Sequence, residues 1–145
     1  HSELCPIDVV MVAGAPWIKD GLLRDFHKDE SGYLKIGGGA NTPEMPYFFR
    51  SVPNLINFLK RQGFYIPRGG HPDPVPGMAV FFDWADRGRF NFTPDRSGIV
   101  MQCTDGRVSQ VVMPHLCDGG YVVAETPVAH GSPLDLALIG WADLP

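Results

Sequence analysis

The sequence predicts a single α+β domain over residues 1–145, with N-terminal helices packed on a C-terminal antiparallel β-sheet. The length of 145 residues is that of one ordinary domain, and a hydrophobic share of 44% is sufficient for a core. Apolar side chains recur at helical spacing in the first half, whereas short apolar segments separated by turn residues dominate the second half. Successive strands joined by short turns are typical of an antiparallel sheet.

Two helices are predicted near the N-terminus. In Cys5–Ala13, a proline in the first turn and a continuous apolar run favour a buried helix, although a strand also fits the run. Trp17–Glu30 is amphipathic, because its apolar residues fall on one face: Ile18, Leu22, Leu23 and Phe26. The next segment, Ser31–Arg50, contains consecutive glycines and two prolines, so we predict a long loop.

A further helix is predicted over Ser51–Gln62, where the signals at both ends agree. Ser51 can cap the N-terminus, Pro53 suits the first turn, and Gly63 follows the last residue. Apolar side chains within this segment repeat at helical spacing, which predicts a helix with one face in the core.

The second half is predicted to contain five strands. They cover Met78–Trp84, Ser97–Gln102, Arg107–Met113, Tyr121–Glu125 and Leu138–Trp141. Thr104–Gly106 has the residues of a tight hairpin turn between the second and third of these strands.

The composition argues against several classes of partner. A net charge of -4 disfavours nucleic acid, whose binding requires clustered Lys and Arg. No apolar run approaches the roughly 20 residues that cross a bilayer, so no membrane span is expected. No Cys and His spacing matches a zinc site, and we predict neither a metal nor a cofactor.

The chain contains three cysteines, Cys5, Cys103 and Cys117. Cys103 and Cys117 fall on neighbouring predicted strands, so either they form a disulfide or all three thiols are reduced. Cys5 begins a predicted helix, where the partial positive charge of the helix N-terminus favours a thiolate. Cys5 is therefore a candidate nucleophile, although a buried structural cysteine would fit the same position.

The order of three motifs resembles the papain-like cell-wall hydrolases of bacteria, the NlpC-type and CHAP-type amidases and peptidases. Cys5 occupies the place of their nucleophile. Residues 76–84 (PGMAVFFDW) are similar to their Pro-Gly turn and following apolar strand, and residues 95–100 (DRSGIV) to their Asp-His-(Val/Ile)-Gly-Ile-Val strand. Residues 50–55 (RSVPNL) resemble a segment of an uncharacterised family in that superfamily. The resemblance implies a papain-like fold and cleavage of amide bonds.

The sequence departs from the family pattern at the catalytic histidine, which is replaced by Arg96. Arginine stays protonated and cannot accept a proton from a thiol, but it could stabilise Cys5 as a thiolate. His115 follows the third predicted strand, near the place where the family positions a polar residue beside its histidine, and it is the candidate replacement base. The catalytic candidates are therefore Cys5, His115 and Arg96. Met78 also replaces the aspartate of the family's Pro-Gly-Asp turn.

Asp95, Trp84 and Tyr47 are the candidate substrate-binding residues, since loop aromatics can line a groove for a peptide or sugar. The remaining histidines, His27, His71 and His130, lie on polar or glycine- and proline-rich segments and are expected at the solvated surface.

Acidic and amide side chains near the loop between the first two strands could bind calcium: Asp83, Asp86, Asn91 and Asp95. Their spacing does not follow an EF-hand, and a solvated acidic loop is the favoured interpretation.

Three readings remain open from the sequence. The first is a monomeric, periplasmic or secreted cysteine peptidase or amidase acting on peptidoglycan or another peptide, which the resemblance implies. The second is a catalytically inactive papain-like domain that serves as a binding or structural module, which the missing histidine favours. An unrelated α+β protein with a structural Cys5 is a third reading.

Overall fold

The computed structural model describes residues 16–84, 96–117 and 120–144, and it describes only the backbone of residues 46, 115–117, 120 and 121. The order of elements confirms the predicted class: three α-helices and a 3₁₀ helix precede the described strands, one short helix lies between the last two strands, and all described strands belong to one antiparallel sheet. The predicted helix Cys5–Ala13 lies outside the described residues.

The helical layer is formed by α1 (Trp17–Lys28), α2 (Glu30–Gly37), a 3₁₀ helix (Pro46–Arg50) and α3 (Val52–Gln62). Helix α1 agrees with its prediction except at its last two residues. The loop predicted over Ser31–Arg50 is wrong, because α2 and the 3₁₀ helix occupy much of it. Helix α2 buries only Tyr33, so its sequence has no apolar stripe from which a helix could be predicted.

Helix α3 confirms the capping argument. The Ser51 hydroxyl accepts a hydrogen bond from the Asn54 backbone N–H at 3.2 Å, and Gly63 adopts a left-handed conformation with φ of 81°. The apolar stripe lies in the core, since Leu55 and Leu59 are fully buried.

Over the residues that the structure describes, the sheet contains six strands in the order β1-β6-β2-β3-β4-β5. They are β1 (Tyr65–Pro67), β2 (Ala79–Phe82), β3 (Arg96–Thr104), β4 (Arg107–Cys117), β5 (Gly120–Pro127) and β6 (Leu138–Ala142), and a short helix, α4 (Pro133–Ala137), precedes β6. The five predicted strands are confirmed with shifted ends. Strand β1 and helix α4 were not predicted, because elements of three and five residues are too short to show a hydrophobic period.

The two faces of the sheet belong to different hydrophobic clusters. Ala79, Phe81 and Ala142 pack with the helices, and we call this side the helical face. Their neighbours along the strands, Val80 and Phe82, belong to a second cluster on the opposite side, the second face, together with residues such as Val111, Met113 and Trp141. This alternation follows from the two-residue period of a strand.

The hairpin between β3 and β4 separates Cys103 from Cys117. Asp105 and Gly106 both have positive φ, 53° and 74°, as a type I′ turn requires. Cys103 of β3 pairs with Val108 of β4 beside this turn. Cys117 ends β4, nine residues after Val108, which corresponds to about 30 Å at ~3.4 Å per residue. A disulfide needs Cα atoms within roughly 7 Å, so the proposed Cys103–Cys117 pairing is wrong.

Within the described ranges, no helix combines the length and apolar character needed to cross a bilayer.

Candidate functional site

The register of the central strands directs two predicted site residues to the same end of the sheet. Ile99 of β3 pairs with Val112 of β4, and Val100 pairs with Val111. The β3–β4 pairing ends at Ile99 and Val112; continued three residues further, the same register would set Arg96 opposite His115. The two candidates of the sequence, nineteen positions apart, are thus on adjacent strands at one end of the sheet, beyond the last residue pair.

Arg96 lies on the second face. It pairs directly with Phe82 of β2, which is a fully buried member of the second cluster. Directly paired residues share one face of a sheet, and Arg96 is half-buried there. The position of His115 follows Val111 and Met113 at two-residue intervals, and both of these belong to the same cluster. A fixed positive charge thus lies at the edge of an apolar surface, beside the backbone that carries a histidine.

Two buried polar residues adjoin this end of the sheet. Ser97 is fully buried and pairs with Phe81 on the helical face. Asp83, directly after β2, is only 6% exposed, and its backbone N–H donates to the Ala137 carbonyl at 2.9 Å. Asp83 Oδ1 is the only buried carboxylate oxygen without a hydrogen-bond partner in the described chain. The expectation of a solvated acidic loop is therefore wrong for Asp83.

A buried carboxylate oxygen without a donor is costly, and such atoms commonly mark strained or functional positions. The sequence offered one indication of this, an aspartate that directly follows four apolar residues of a strand. The other residues of the imagined calcium site, Asp86, Asn91 and Asp95, lie outside the described residues. Among the residues that are described, no group of three or more His, Cys, Asp or Glu could hold a metal ion.

The structure separates two of the predicted substrate-binding residues. Trp84 packs against the second cluster, close in sequence to Phe82, so it lies at the same end of the sheet as Arg96. Tyr47 belongs to the 3₁₀ helix of the helical layer, where its hydroxyl donates to the Ala40 carbonyl at 2.6 Å. Tyr47 is thus on the opposite side of the sheet from Arg96. The remaining candidates, Cys5 and Asp95, lie outside the described residues.

Cys103 has the environment of an inert thiol. Its Sγ atom donates to the Pro74 carbonyl at 3.2 Å, and the side chain is half-buried. Burial, with a smaller contribution from the Asp73 carboxylate, raises the pKa of this thiol above its ordinary value. Because the thiolate is the nucleophile, Cys103 is a poor candidate for covalent catalysis.

The surface assignment of the other histidines is confirmed. His27, His71 and His130 are all exposed. His130 Nδ1 lies 3.7 Å from Asp135 Oδ2 while its side chain stays 73% exposed, so the contact is a weak surface interaction.

In comparisons with known proteins, the chain matches no family model, no curated protein and no solved structure.

Proposed function

We propose that the chain is a papain-like cysteine hydrolase that cleaves amide bonds in peptides, with Cys5 as the nucleophile and His115 as its base. The cross-strand position of Arg96 and His115 is the observation that carries this proposal. A cysteine hydrolase needs a base and a thiolate-stabilising charge in one place, and the register of β3 and β4, continued beyond its last pair, would bring residues of both kinds to one end of the sheet.

In this mechanism His115 accepts the proton of the Cys5 thiol, and the sulfur attacks the carbonyl carbon of the peptide bond. Collapse of the tetrahedral intermediate breaks the C–N bond, and the His115 imidazolium gives its proton to the leaving amine. A water molecule, deprotonated by His115, then hydrolyses the thioester and restores the thiol. Arg96 remains a guanidinium throughout and stabilises the thiolate electrostatically.

The proposal requires Cys5 to reach the second face of the sheet. The segment from Cys5 to Pro16 would have to pass from the helical layer around a sheet edge to bring the thiol there. Peptidoglycan peptides are the substrate class implied by the resemblance of residues 76–84 and 95–100 to cell-wall hydrolases. Such a substrate would place the protein in the periplasm or outside the cell.

The test is alkylation of Cys5 by iodoacetamide as a function of pH, in a Cys103→Ser, Cys117→Ser background. We expect rapid labelling near pH 6, where an ordinary thiol is almost fully protonated. Arg96→Gln should move the midpoint of labelling to higher pH, while the matched variant Arg24→Gln, on the exposed side of α1, should leave it unchanged.

Turnover gives the second readout. Release of amines from peptidoglycan fragments should disappear in Cys5→Ala and fall by about 10²–10⁴-fold in His115→Gln. Ordinary thiol reactivity that is insensitive to Arg96→Gln, together with no turnover by the unmodified chain, would exclude the hydrolase.

The second candidate function is a catalytically inactive binding module. The specific observation in its favour is Arg96 itself, because the position that should hold a base carries a group that cannot accept a proton. An inactive module would bind peptidoglycan fragments with equal affinity before and after Cys5→Ala, and neither form would release amines. A hydrolase would instead lose turnover in that variant.

A further inference from the structure

A cavity lies at the other end of the sheet and has no part in the mechanism above. It has a volume of about 270 Å³ and is bounded by Trp141, Leu138 and Val108 together with polar residues that include Arg107 and Asp73. Arg107 begins β4, eight residues before His115, which corresponds to about 27 Å along the strand. The cavity is therefore separate from the Arg96–His115 position.

The walls of this cavity are held by tertiary hydrogen bonds. The Trp141 indole N–H donates to the Pro72 carbonyl at 3.0 Å, and the Arg68 backbone N–H donates to the Ile139 carbonyl at 2.9 Å. These contacts fix the segment after β1 against β6. A cavity formed in this way exists before any ligand binds, which lowers the conformational cost of binding.

One pair of charges in the cavity is already neutralised within the protein. The Arg68 guanidinium donates to the carbonyls of Asp135 and Leu138, and one of its nitrogens lies 3.3 Å from the Asp135 carboxylate. The same carboxylate also accepts a hydrogen bond from the Gly131 N–H at 2.9 Å. Arg68 and Asp135 are thus structural, and neither has charge to offer a ligand.

Arg107 and Asp73 differ from that pair, because neither side chain makes a hydrogen bond or ion pair with a described residue. Both line the cavity, and Asp73 lies close to the backbone beside Arg107. A Cβ atom added to Gly106, next to Arg107, would stand 3.0 Å from Asp73 Oδ2. The cavity therefore presents one unpaired cation and one unpaired anion at neighbouring positions, above an apolar surface that includes Trp141.

We propose that this cavity binds a small zwitterion, a free amino acid with an aliphatic side chain. Its carboxylate would pair with Arg107, its ammonium group with Asp73, and its side chain would contact Trp141, Leu138 and Val108. The volume is below the 300–1,000 Å³ of typical drug-sized sites, which suits a molecule of this size. A guanidinium is the preferred partner of a carboxylate, and two opposite charges recognise a zwitterion better than either ion alone.

Binding can be measured by calorimetry on the full chain with three probes of similar shape. These are L-leucine, isopentylamine, which lacks the carboxylate, and 4-methylpentanoate, which lacks the amine. We expect saturable binding of leucine, and at least tenfold weaker binding of both analogues. A dissociation constant for either analogue equal to that of leucine would overturn the zwitterion assignment.

Two variants locate the site. Arg107→Gln should weaken the binding of leucine at least tenfold and leave the binding of isopentylamine unchanged. Asp73→Asn should weaken the binding of leucine and leave the binding of 4-methylpentanoate unchanged. Lys35→Gln, an exposed charge on α2, is the matched control and should bind leucine like the unmodified chain. Thermal unfolding confirms that each variant is folded.

The proposal is overturned by the absence of saturable leucine binding up to about 20 mM, or by leucine binding that both cavity variants leave intact. It is independent of the hydrolase proposal, because Cys5→Ala should abolish turnover while leucine binds as before.

Discussion

The Nε atom of Arg61 lies 2.8 Å from Oδ2 and 3.0 Å from Oδ1 of Asp25, which joins α3 to α1. Asp25 is only 3% exposed, and its Oδ2 also accepts a hydrogen bond from the Tyr33 hydroxyl of α2 at 2.7 Å. Burial and the Asp25 carboxylate raise the pKa of Tyr33, while the same carboxylate raises the pKa of Arg61. The Asp25 carboxylate thus connects α1, α2 and α3.

Loss of the Arg61 partner should therefore destabilise the helical layer. Arg61→Ala leaves the buried Asp25 carboxylate with Tyr33 as its remaining side-chain donor, and we expect a loss of about 2 kcal/mol in the free energy of unfolding. Water can partly replace the guanidinium, since the Arg61 side chain is 37% exposed. Urea unfolding measures the loss. Arg24→Ala, on the exposed side of α1, is the control and should change stability by less than about 0.5 kcal/mol; equal effects of the two variants would contradict the assignment.

A second prediction concerns the buried amide pair of Asn41 and Asn54. Each Nδ2 donates to the Oδ1 of the other, at 2.8 and 2.9 Å. The remaining N–H groups donate to the carbonyls of Tyr33 and Phe48. The two side-chain amides and the two backbone carbonyls are therefore all hydrogen-bonded within residues 33–54.

Asn54→Asp should cost about 3 kcal/mol, because it replaces a donor by a second carboxyl acceptor facing Asn41 Oδ1 and the Phe48 carbonyl. Chemical denaturation near neutral pH is the measurement, with the exposed Gln62→Glu as a control for the added charge. Stability equal to that of the control would show that the amide pair does not hold this segment.

The contrast between α3 and α2 shows what the sequence could predict about the fold. Helix α3 was predictable because its cap, its apolar stripe and its terminal glycine all act locally. Helix α2 depends on contacts of Tyr33 with Asp25 and Asn41, each eight residues away and outside the helix itself. Tertiary contacts overrode the glycine and proline signals of the predicted loop.

The candidate site likewise contains parts that the sequence predicts and parts that depend on the fold. The placement of Arg96 and His115 at one end of two adjacent strands follows from the strands and the tight turn between them, which the sequence indicates directly. The burial of Asp83 depends on Ala137, more than fifty residues later, and no local pattern records that contact. The cavity beside Trp141 is assembled from three separate segments of the chain, so its charge arrangement emerges only from the fold.

The spacing of β3 and β4 beside the candidate site should depend on Gly98. A Cβ atom at this position would stand 2.6 Å from the Val112 carbonyl oxygen and 3.0 Å from Met113 Cβ. Gly98→Ala must therefore push β4 away, and we expect a loss of roughly 2 kcal/mol or more in the free energy of unfolding.

Gly39→Ala is the matched control, because a Cβ atom there meets nothing within 4 Å. It should be neutral or slightly stabilising, as expected when alanine restricts the unfolded chain. Thermal and urea unfolding of both variants give the comparison. If Gly98→Ala were as stable as Gly39→Ala, the strands could not be as close as the register requires.

The last prediction is a loss of stability at alkaline pH through Tyr65. Burial raises the pKa of Tyr65 to about 12, and its hydroxyl donates to the Ile139 carbonyl at 3.2 Å. A tyrosine in the unfolded chain ionises at about pH 10. Between that pH and about 12, Tyr65 has therefore lost its hydroxyl proton in the unfolded chain but retains it in the folded chain. The contribution of the neutral hydroxyl is therefore complete below about pH 10 and is lost as the pH rises towards the folded pKa.

Tyr65→Phe removes this ionisation, so the difference in stability between the unmodified chain and the variant should shrink from pH 8 to pH 11.5. Urea midpoints at several pH values measure that difference. Ser31→Ala, which changes an exposed hydroxyl that does not titrate in this range, should differ from the unmodified chain by the same amount at every pH. A difference for Tyr65→Phe that stays constant with pH would mean that Tyr65 ionises equally well in the folded and unfolded chains, which is incompatible with the burial of its hydroxyl against β6.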